Sequence, residues 1–178
     1  MSESGTNYRL GEGPWVVVEA DEFDRSFMHL HPEAAAVTTL DADHLDVYGD
    51  AGELTRTFEA FLGQVSGPTF TGADLPTSES VLGEGAKVHA KDVRPANGAY
   101  EFTLVVDGLK HATSLKMPGV HNVYNATLAA ALAHYAGVDG MTIAAALSSF
   151  KGIKRRFEFH SEQPVIIEDY AHHPTELE

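Results

Sequence analysis

The order of apolar and polar residues divides the chain into segments that favour strands, helices or turns. Two apolar runs near the start, residues 15–18 and 34–40, have the length and the β-branched content of buried strands. Residues 53–63 carry four large apolar side chains at positions i, i+4, i+7 and i+8, which is the spacing of one face of an amphipathic helix. The chain is therefore predicted to open with a strand, a loop, a second strand and a helix.

The middle of the chain has a different residue composition from the first 63 residues. Residues 65–85 are rich in Gly, Ser, Thr and Pro, a composition typical of connections with little regular structure. Residues 99–107 alternate in part between apolar and polar, and the Asp-Gly pair at their end favours a hairpin turn. Together with residues 86–93 and 110–116, they predict a small antiparallel sheet.

Two helices and two strands are predicted after that sheet. An alanine-rich segment, residues 121–136, predicts a helix ending at Gly137. A second helix is predicted to begin with a cap at Thr142 and to run through Phe150.

Two β-type runs, residues 153–160 and 164–168, close the pattern. Strands joined through helices predict an α/β fold, with a mainly parallel sheet flanked by helices and a small antiparallel sheet.

Both predicted strands near the start run into acidic residues. Ligands of open α/β sheets bind outside the carboxyl ends of the strands, and hard divalent cations prefer carboxylate oxygens. A divalent-cation site is therefore predicted where the two ends meet, and the alternative is that these side chains only cap loops. The residues concerned are Glu19, Asp21, Glu22, Asp24, Asp41, Asp43, His44 and Asp46.

The composition of the chain argues against binding to nucleic acid or membrane. The formal net charge of −14 is opposite to the basic footprint of nucleic-acid-binding proteins. The chain has no Cys, which suits a reducing cytoplasm, and its start does not resemble a signal peptide. No apolar run approaches the roughly 20 residues that span a bilayer. We therefore expect a cytoplasmic protein that binds neither nucleic acid nor membrane.

Positive charge is concentrated at one place. Lys151, Lys154, Arg155 and Arg156 supply four of the twelve Lys and Arg residues within six positions. Arginine binds phosphate in a bidentate manner, so one arginine of the pair is predicted to face an anionic ligand. The two lysines are expected to be solvated surface.

A second polar group lies at the start of the predicted alanine-rich helix. His121, Asn122 and Asn125 are spaced three and four residues apart and can face one pocket. An asparagine side chain offers a donor and an acceptor, which matches the N6/N7 edge of adenine. The alternative is that Asn122 caps the helix and His121 is structural.

Four motifs together resemble the central domain of the Mur ligases. They are EADEFDRSF, TLDADHLDVYG, GVHNVYNATLAAALA and KGIKRRFEF followed by IIEDYAHHPTE, in the order and spacing of that family. The resemblance implies a ligase of peptidoglycan biosynthesis that consumes ATP and acts through an acyl phosphate. Within the family, the motifs are most similar to members that join UDP-N-acetylmuramate to L-alanine.

The resemblance also assigns roles to residues. It implies that Glu19 and His44 bind Mg²⁺, and Mn²⁺ would also suit a set of ligands that includes imidazole. It places Asn122 and Asn125, beside His121, at the adenine, and one arginine of Arg155-Arg156-Phe157, preferably Arg156, at the nucleotide. Asp169 would accept hydrogen bonds from the ribose. His172 and His173 would lie near an interdomain cleft. The remaining histidines are expected to be structural: His29, His31, His89, His111, His134 and His160.

The phosphate-binding motif of such enzymes, G-x-x-x-x-G-K-[ST], does not occur in the sequence. We therefore expect residues 1–160 to be a central ATPase domain without its phosphate loop, and residues 161–178 to begin the C-terminal domain. Such a fragment is predicted to be inactive alone and to expose a sheet edge that can form a homodimer.

Three alternatives stay open on the sequence. One is another Mur-type or folate-type amide ligase; many of these carry a lysine after the metal histidine, which residues 45–86 lack. Another is a metal-dependent hydrolase that uses Glu19, Asp43 and His44, and the third is a non-catalytic structural module.

Overall fold

The structure is a computed structural model that describes residues 8–21, 24–40, 51–71, 79–80 and 85–171. The helices and strands of these residues, in chain order, are β1 (Ala35–Val37), α1 (Ala51–Leu62), β2 (Thr69–Thr71), β3 (Glu79–Ser80), β4 (Val88–Ala96), β5 (Ala99–Val106), β6 (Leu109–Leu115), α2 (Val120–Tyr135), α3 (Gly140–Ser149), β7 (Glu158–Glu162) and β8 (Val165–Glu168). A short 3-10 helix, Ser26–His29, precedes β1.

Three short strands form a parallel sheet in the order β1-β2-β3. Helix α1 connects β1 to β2, because parallel strands need a crossover connection. Strands β2 and β3 lie within residues 65–85, so the prediction of little regular structure there is wrong. The Gly, Ser, Thr and Pro residues of this segment favoured a prediction of turns, although Thr69, Phe70 and Thr71 are all buried in the central strand of this sheet.

Helix α1 confirms its predicted amphipathic face. Leu54, Phe61 and Leu62 are buried, and Phe61 packs at 4.9 Å between ring centroids against Phe27 of the 3-10 helix. Phe61 and Leu62 belong, with Phe27 and with Val37 of β1, to an apolar cluster beside the parallel sheet. The hydrophobic periodicity of this segment was therefore sufficient to predict both the helix and its buried side.

Strands β4, β5 and β6 form the predicted antiparallel meander. The Asp107-Gly108 turn has φ angles of 48° and 80°, and Asn97-Gly98 has φ angles of 51° and 76°. Positive φ at both central residues is the conformation that two-residue hairpins require. The antiparallel sheet is thus set by its two turn sequences.

Helices α2 and α3 cover one face of the antiparallel sheet and bury the main core. Leu104 of β5 and Val123 of α2 are fully buried there. Helix α2 also contacts β1 and β2, so it packs against both sheets. This shared helix is what connects the two apolar clusters into one α/β fold, which confirms the predicted fold class.

Helix α3 begins one turn earlier than its predicted cap. Asp139, not Thr142, is the N-cap residue, and its carboxylate accepts hydrogen bonds from the Thr142 amide at 3.0 Å and hydroxyl at 2.7 Å. The prediction of Thr142 as the cap is therefore wrong. The aspartate side chain satisfies one amide of the first turn, that of Thr142, which lies three residues later.

Residues 15–18 are extended but do not form the predicted buried strand. Val16 and Val17 are 85% and 92% exposed, and within the described ranges no strand pairs with them. An apolar run becomes a strand only where a neighbour supplies backbone partners. Trp15 instead rests edge-on against Tyr135 of α2, with 5.9 Å between ring centroids.

Strands β7 and β8 form a two-stranded antiparallel hairpin. The first predicted run of residues 153–160 is thus strand only from Glu158, because a turn occupies residues 154–157. The predicted domain boundary after residue 160 falls within β7 and stays a prediction. Among the described residues, no helix has the length and hydropathy needed to cross a membrane.

Candidate functional site

Of the two predicted metal ligands, Glu19 is described and His44 lies outside the described residues. Glu19 is exposed on the extended segment that follows residues 15–18, and it has no hydrogen bond or ion pair to another described residue. Its carboxylate oxygens are therefore available to a cation. Glu22, Asp41, Asp43 and Asp46 also lie outside the described residues.

Among the remaining acids of this group, Asp24 contacts the local loop. Asp24 accepts a hydrogen bond from the Ser26 amide at 2.8 Å, at the start of the 3-10 helix. Hydrogen bonds from the Ser26 side chain and backbone lower the pKa of the Asp24 carboxyl. Arg25 lies 3.5 Å from Glu53 of α1. Asp24 thus has the loop-capping contact predicted for it.

The N-terminus of α2 brings His121, Asn122 and Asn125 onto one end of a helix. Its N-cap is Gly119, with φ 87° and no side chain, so Asn122 is not the cap. The Asn122 Nδ2 donates to the Pro118 carbonyl at 2.6 Å and lies 3.1 Å from His121 Nε2. Asn125 is exposed and its side chain makes no hydrogen bond to another described residue.

A second element of the candidate site is the turn that joins α3 to β7, which carries the predicted arginine pair. We call residues 154–157 the arginine turn. Arg155 and Phe157 have φ angles of 61° and 50°, which lie in the left-handed region that residues other than glycine rarely adopt. The Nε of Arg155 lies 3.2 Å from the Glu168 carboxylate, and Arg156 and both lysines of the cluster are exposed.

Asp169, predicted to meet the ribose, lies directly beside the arginine turn. One carboxylate oxygen accepts the Phe157 amide at 2.7 Å and the other accepts the Ala171 amide at 2.7 Å. The structure therefore brings Asp169 and the arginine pair together. Among the described residues, no hydrogen bond or ion pair links this group to Glu19 or to the N-terminus of α2.

Two acids and a histidine on the hairpin were missed by the sequence reasoning. Glu158 and Glu168 are direct cross-strand partners, and His160 Nε2 lies 2.8 Å from Glu168 and 4.0 Å from Glu158. Their ligand atoms lie within 4.8 Å of one another. The guanidinium of Arg155 balances part of the negative charge of this group. The i, i+2 spacing of Glu158 and His160 places both side chains on one face of a strand, and this spacing is the sequence signal that could have predicted the pair.

Two of the other described histidines, His89 and His134, make local polar contacts. His89 is buried with its Nδ1 2.8 Å from the Ala86 carbonyl, and His134 lies 3.0 Å from Asp107. His111 has a buried Nε2 with no hydrogen-bond partner among the described residues, close to Gly140 at the start of α3. These contacts agree with the structural role predicted for them. His172 and His173 lie outside the described residues.

One cavity of the described residues lies away from these elements. It has a volume of about 520 Å³ and lies on the antiparallel sheet beside Ser148 of α3, with Asp92, Arg94 and Glu101 among its lining residues. Arg94 and Glu101 neutralise each other at 2.7 Å. None of the predicted site residues lines this cavity, so we do not assign the nucleotide to it.

Comparison with known proteins gives the family. Residues 12–133 match the Mur ligase middle domain. The chain is 45% identical over 177 residues to the UDP-N-acetylmuramate–L-alanine ligase of Flavobacterium psychrophilum, covering 94% of this chain and 39% of the relative. It is 41% identical to the ligase of the same name from Halorhodospira halophila, covering 100% of this chain and 41% of the relative.

Solved structures agree with the fold. The UDP-N-acetylmuramate–alanine ligase MurC of Thermotoga maritima superposes with a TM-score of 0.73 at 25% identity, covering 89% of this chain and 39% of that protein. MurF of Acinetobacter baumannii gives a TM-score of 0.71 at 25% identity, covering 83% and 36%. The chain spans about two fifths of the length of the relatives it matches. It belongs to the Mur ligase family, whose middle domain it matches over residues 12–133.

Proposed function

We propose that the chain is part of an ATP-dependent ligase that joins UDP-N-acetylmuramate to L-alanine in peptidoglycan biosynthesis. The observation that carries the proposal is the shared name of the two relatives described above, each at least 41% identical over 94% or more of this chain. A role in peptidoglycan synthesis would connect the protein to cell shape and cell division, and would place it in the cytoplasm.

The proposed reaction has two steps. The carboxylate of UDP-N-acetylmuramate attacks the γ-phosphate of ATP, which gives an acyl phosphate and ADP. The amine of L-alanine then attacks the acyl carbon, an amide bond forms, and inorganic phosphate leaves. Little covalent chemistry falls to the protein in phosphoryl transfer, so its residues act mainly by positioning and by electrostatic stabilisation.

We assign the nucleotide to the two elements that carry the predicted contacts. At the N-terminus of α2, Asn125 would present its amide to adenine, while Asn122 is held by the Pro118 carbonyl and fixes His121 beside it. At the arginine turn, Arg156 would bind phosphate and Asp169 the ribose. Each Asp169 oxygen accepts one backbone amide and keeps a second acceptor position for a hydroxyl group.

The residues proposed for the metal fit a divalent cation in their chemistry. Glu19 offers exposed carboxylate oxygens, which suit Mg²⁺, and His44 would add an imidazole that Mn²⁺ accepts more readily. A bound Mg²⁺ would neutralise charge that develops on the phosphates during transfer.

A homodimer through the exposed extended segment at residues 15–18 is also proposed. The support is the exposure of Val16 and Val17, at 85% and 92%, in an extended segment. Exposed extended segments are templates for pairing with another chain. Sedimentation velocity over a range of concentrations tests it, and replacement of Val17 with Lys should shift the chain towards monomer.

The ligase assignment is tested with a chimaera. The chain replaces the matching region of the Flavobacterium psychrophilum relative, and phosphate release is measured with ATP, UDP-N-acetylmuramate and L-alanine. Activity that requires all three supports the proposal, and an inactive but folded chimaera, or one that prefers a different amine or a longer peptide substrate, would count against it. The chain alone should release no phosphate, because its sequence contains no phosphate-loop motif.

The same substrate panel distinguishes a second candidate function, that of another Mur-type ligase, from the alanine-adding one. The TM-scores for MurC and MurF differ by 0.02, so the fold does not distinguish alanine-adding from later ligases of the family. Phosphate release with a peptide-bearing UDP-sugar, in place of UDP-N-acetylmuramate, would favour another Mur-type ligase.

A further inference from the structure

The arginine turn combines two backbone conformations that cost free energy with two carboxylates that offset them. Arg155 and Phe157 are the two non-glycine residues of the turn with positive φ. Such residues persist only where their surroundings fix them, and they concentrate at functional sites. The contacts of these two residues therefore indicate what holds the turn.

Each left-handed residue donates its amide to a carboxylate, either of the hairpin or of the residue directly after it. The Arg155 amide donates to Glu158 Oε2 at 2.9 Å, and the Phe157 amide donates to Asp169 Oδ2 at 2.7 Å. The Arg155 carbonyl in turn accepts the Tyr170 amide at 2.8 Å. The turn is thus bound on both sides to the hairpin β7–β8 and to the residues that follow it.

The charge distribution explains why carboxylates occupy these positions. Hydrogen bonds to ionised acceptors are shorter and stronger than neutral ones, so two carboxylates can hold a conformation that neutral acceptors would hold less firmly. Glu168 takes a different role, because it contacts the guanidinium of Arg155 and not a backbone amide of the turn. Glu158 and Asp169 fix the backbone, and Glu168 directs one arginine side chain.

We propose that Glu158 is a positioning residue, with Asp169 as its counterpart at Phe157. By holding the left-handed turn it fixes where the arginine pair presents its guanidinium groups to an anionic ligand. The ligand part of this inference rests on the proposed function, in which the ligand is a nucleotide phosphate. Pre-organisation of this kind reduces the ordering cost that ligand binding must otherwise meet.

The first measurement is amide hydrogen exchange, by NMR, on the whole 178-residue chain without ligand. Glu158→Ala should accelerate exchange at Arg155 by about tenfold, the expected effect of losing one charge-assisted hydrogen bond. Glu158→Gln keeps an acceptor oxygen and should restore protection. Asp169→Ala should accelerate exchange at Phe157 and Ala171, whose amides donate to this carboxylate, but not at Arg155. Glu101→Ala is the matched control, because it removes a carboxylate that pairs with an arginine side chain on the other hairpin.

The second measurement is a titration of the same proteins with Mg·ATP. Glu158→Ala should raise the Kd by about tenfold, while Glu158→Gln and Glu101→Ala stay near the parent value. Asp169 variants are not used in this titration, because loss of the proposed ribose contact would itself raise the Kd.

The outcomes separate the two levels of the inference. Unchanged exchange at Arg155 in a folded Glu158→Ala variant would show that the carboxylate does not hold the turn. Faster exchange with an unchanged Kd would refute the link to the ligand. A parent chain that binds no Mg·ATP would overturn nucleotide binding by this chain, and with it the ligand part, while the exchange data alone still decide whether the carboxylates hold the turn.

Discussion

Gly67 lies where three segments approach too closely for a side chain. It precedes Pro68 at the start of β2, and the Ser66 amide on its other side donates to the Pro32 carbonyl at 3.1 Å. A Cβ at Gly67 would lie 2.5 Å from the Glu33 carbonyl oxygen and 2.8 Å from the Tyr135 hydroxyl. Ordinary van der Waals contact begins near 3.4 Å, so Gly67→Ala must displace backbone and not only a side chain.

The expected cost follows from that overlap. Adding a methyl group where neighbouring atoms leave no room costs about 1–3 kcal/mol, and for a chain of this length each kcal/mol lowers the melting temperature by about 2–4 °C. Gly67→Ala should therefore melt several degrees below the parent in a thermal scan followed by circular dichroism. Gly85→Ala is the matched control, because a Cβ there meets no described residue within 4 Å and its backbone is not left-handed. Equal melting temperatures for the two variants would refute the close approach of β2 to Glu33 and Tyr135. Tyr135→Phe combined with Gly67→Ala should recover only part of the loss, since the Glu33 carbonyl remains.

Three further predictions concern the core, a helix cap and ligand binding. Leu104→Ala, at a residue that is 0% exposed, should cost about 2–5 kcal/mol of unfolding free energy in a urea titration, whereas Leu109→Ala, at 68% exposed, should stay within about 0.5 kcal/mol of the parent. Hydrogen bonds from the Thr142 side chain, and secondly from its amide, lower the pKa of the Asp139 carboxyl below its ordinary value of 3.8, so the carboxylate stabilises the fold above that pH and this contribution disappears as the pH falls through the lowered pKa. Asp139→Ala should therefore have a lower melting temperature than the parent at pH 7 and the same melting temperature in strong acid. A difference in melting temperature that persists in strong acid would contradict the ionic cap. Mg²⁺ or Mn²⁺ with ATP should raise the melting temperature of the chain, because a ligand that binds only the folded state must do so, and a melt that responds to neither would favour a purely structural module.

Sequence patterns predicted the elements whose determinants are local. Helix α1 follows from apolar spacing, and the antiparallel sheet follows from alternation and from the Asp107-Gly108 turn, because these signals act between residues that are neighbours in the chain. The family could also be read from motifs, since residue type and order are enough for a resemblance. The same motifs nominated Asp169 and the arginine pair, which the structure places side by side.

Tertiary contacts decided what local patterns left open. Residues 15–18 have the composition of a strand, yet a strand needs a partner, and the sequence of a segment does not state whether one is beside it. Thr69–Thr71 is buried because β1, β3 and α2 surround it, although its neighbours in sequence are turn formers. The role of Glu158 depends on a turn in which Arg155 has a positive φ, and no sequence rule assigns that angle to arginine. Local chain chemistry thus determined which elements form, and packing between distant segments determined which of them pair, which are buried, and which carboxylates hold the arginine turn.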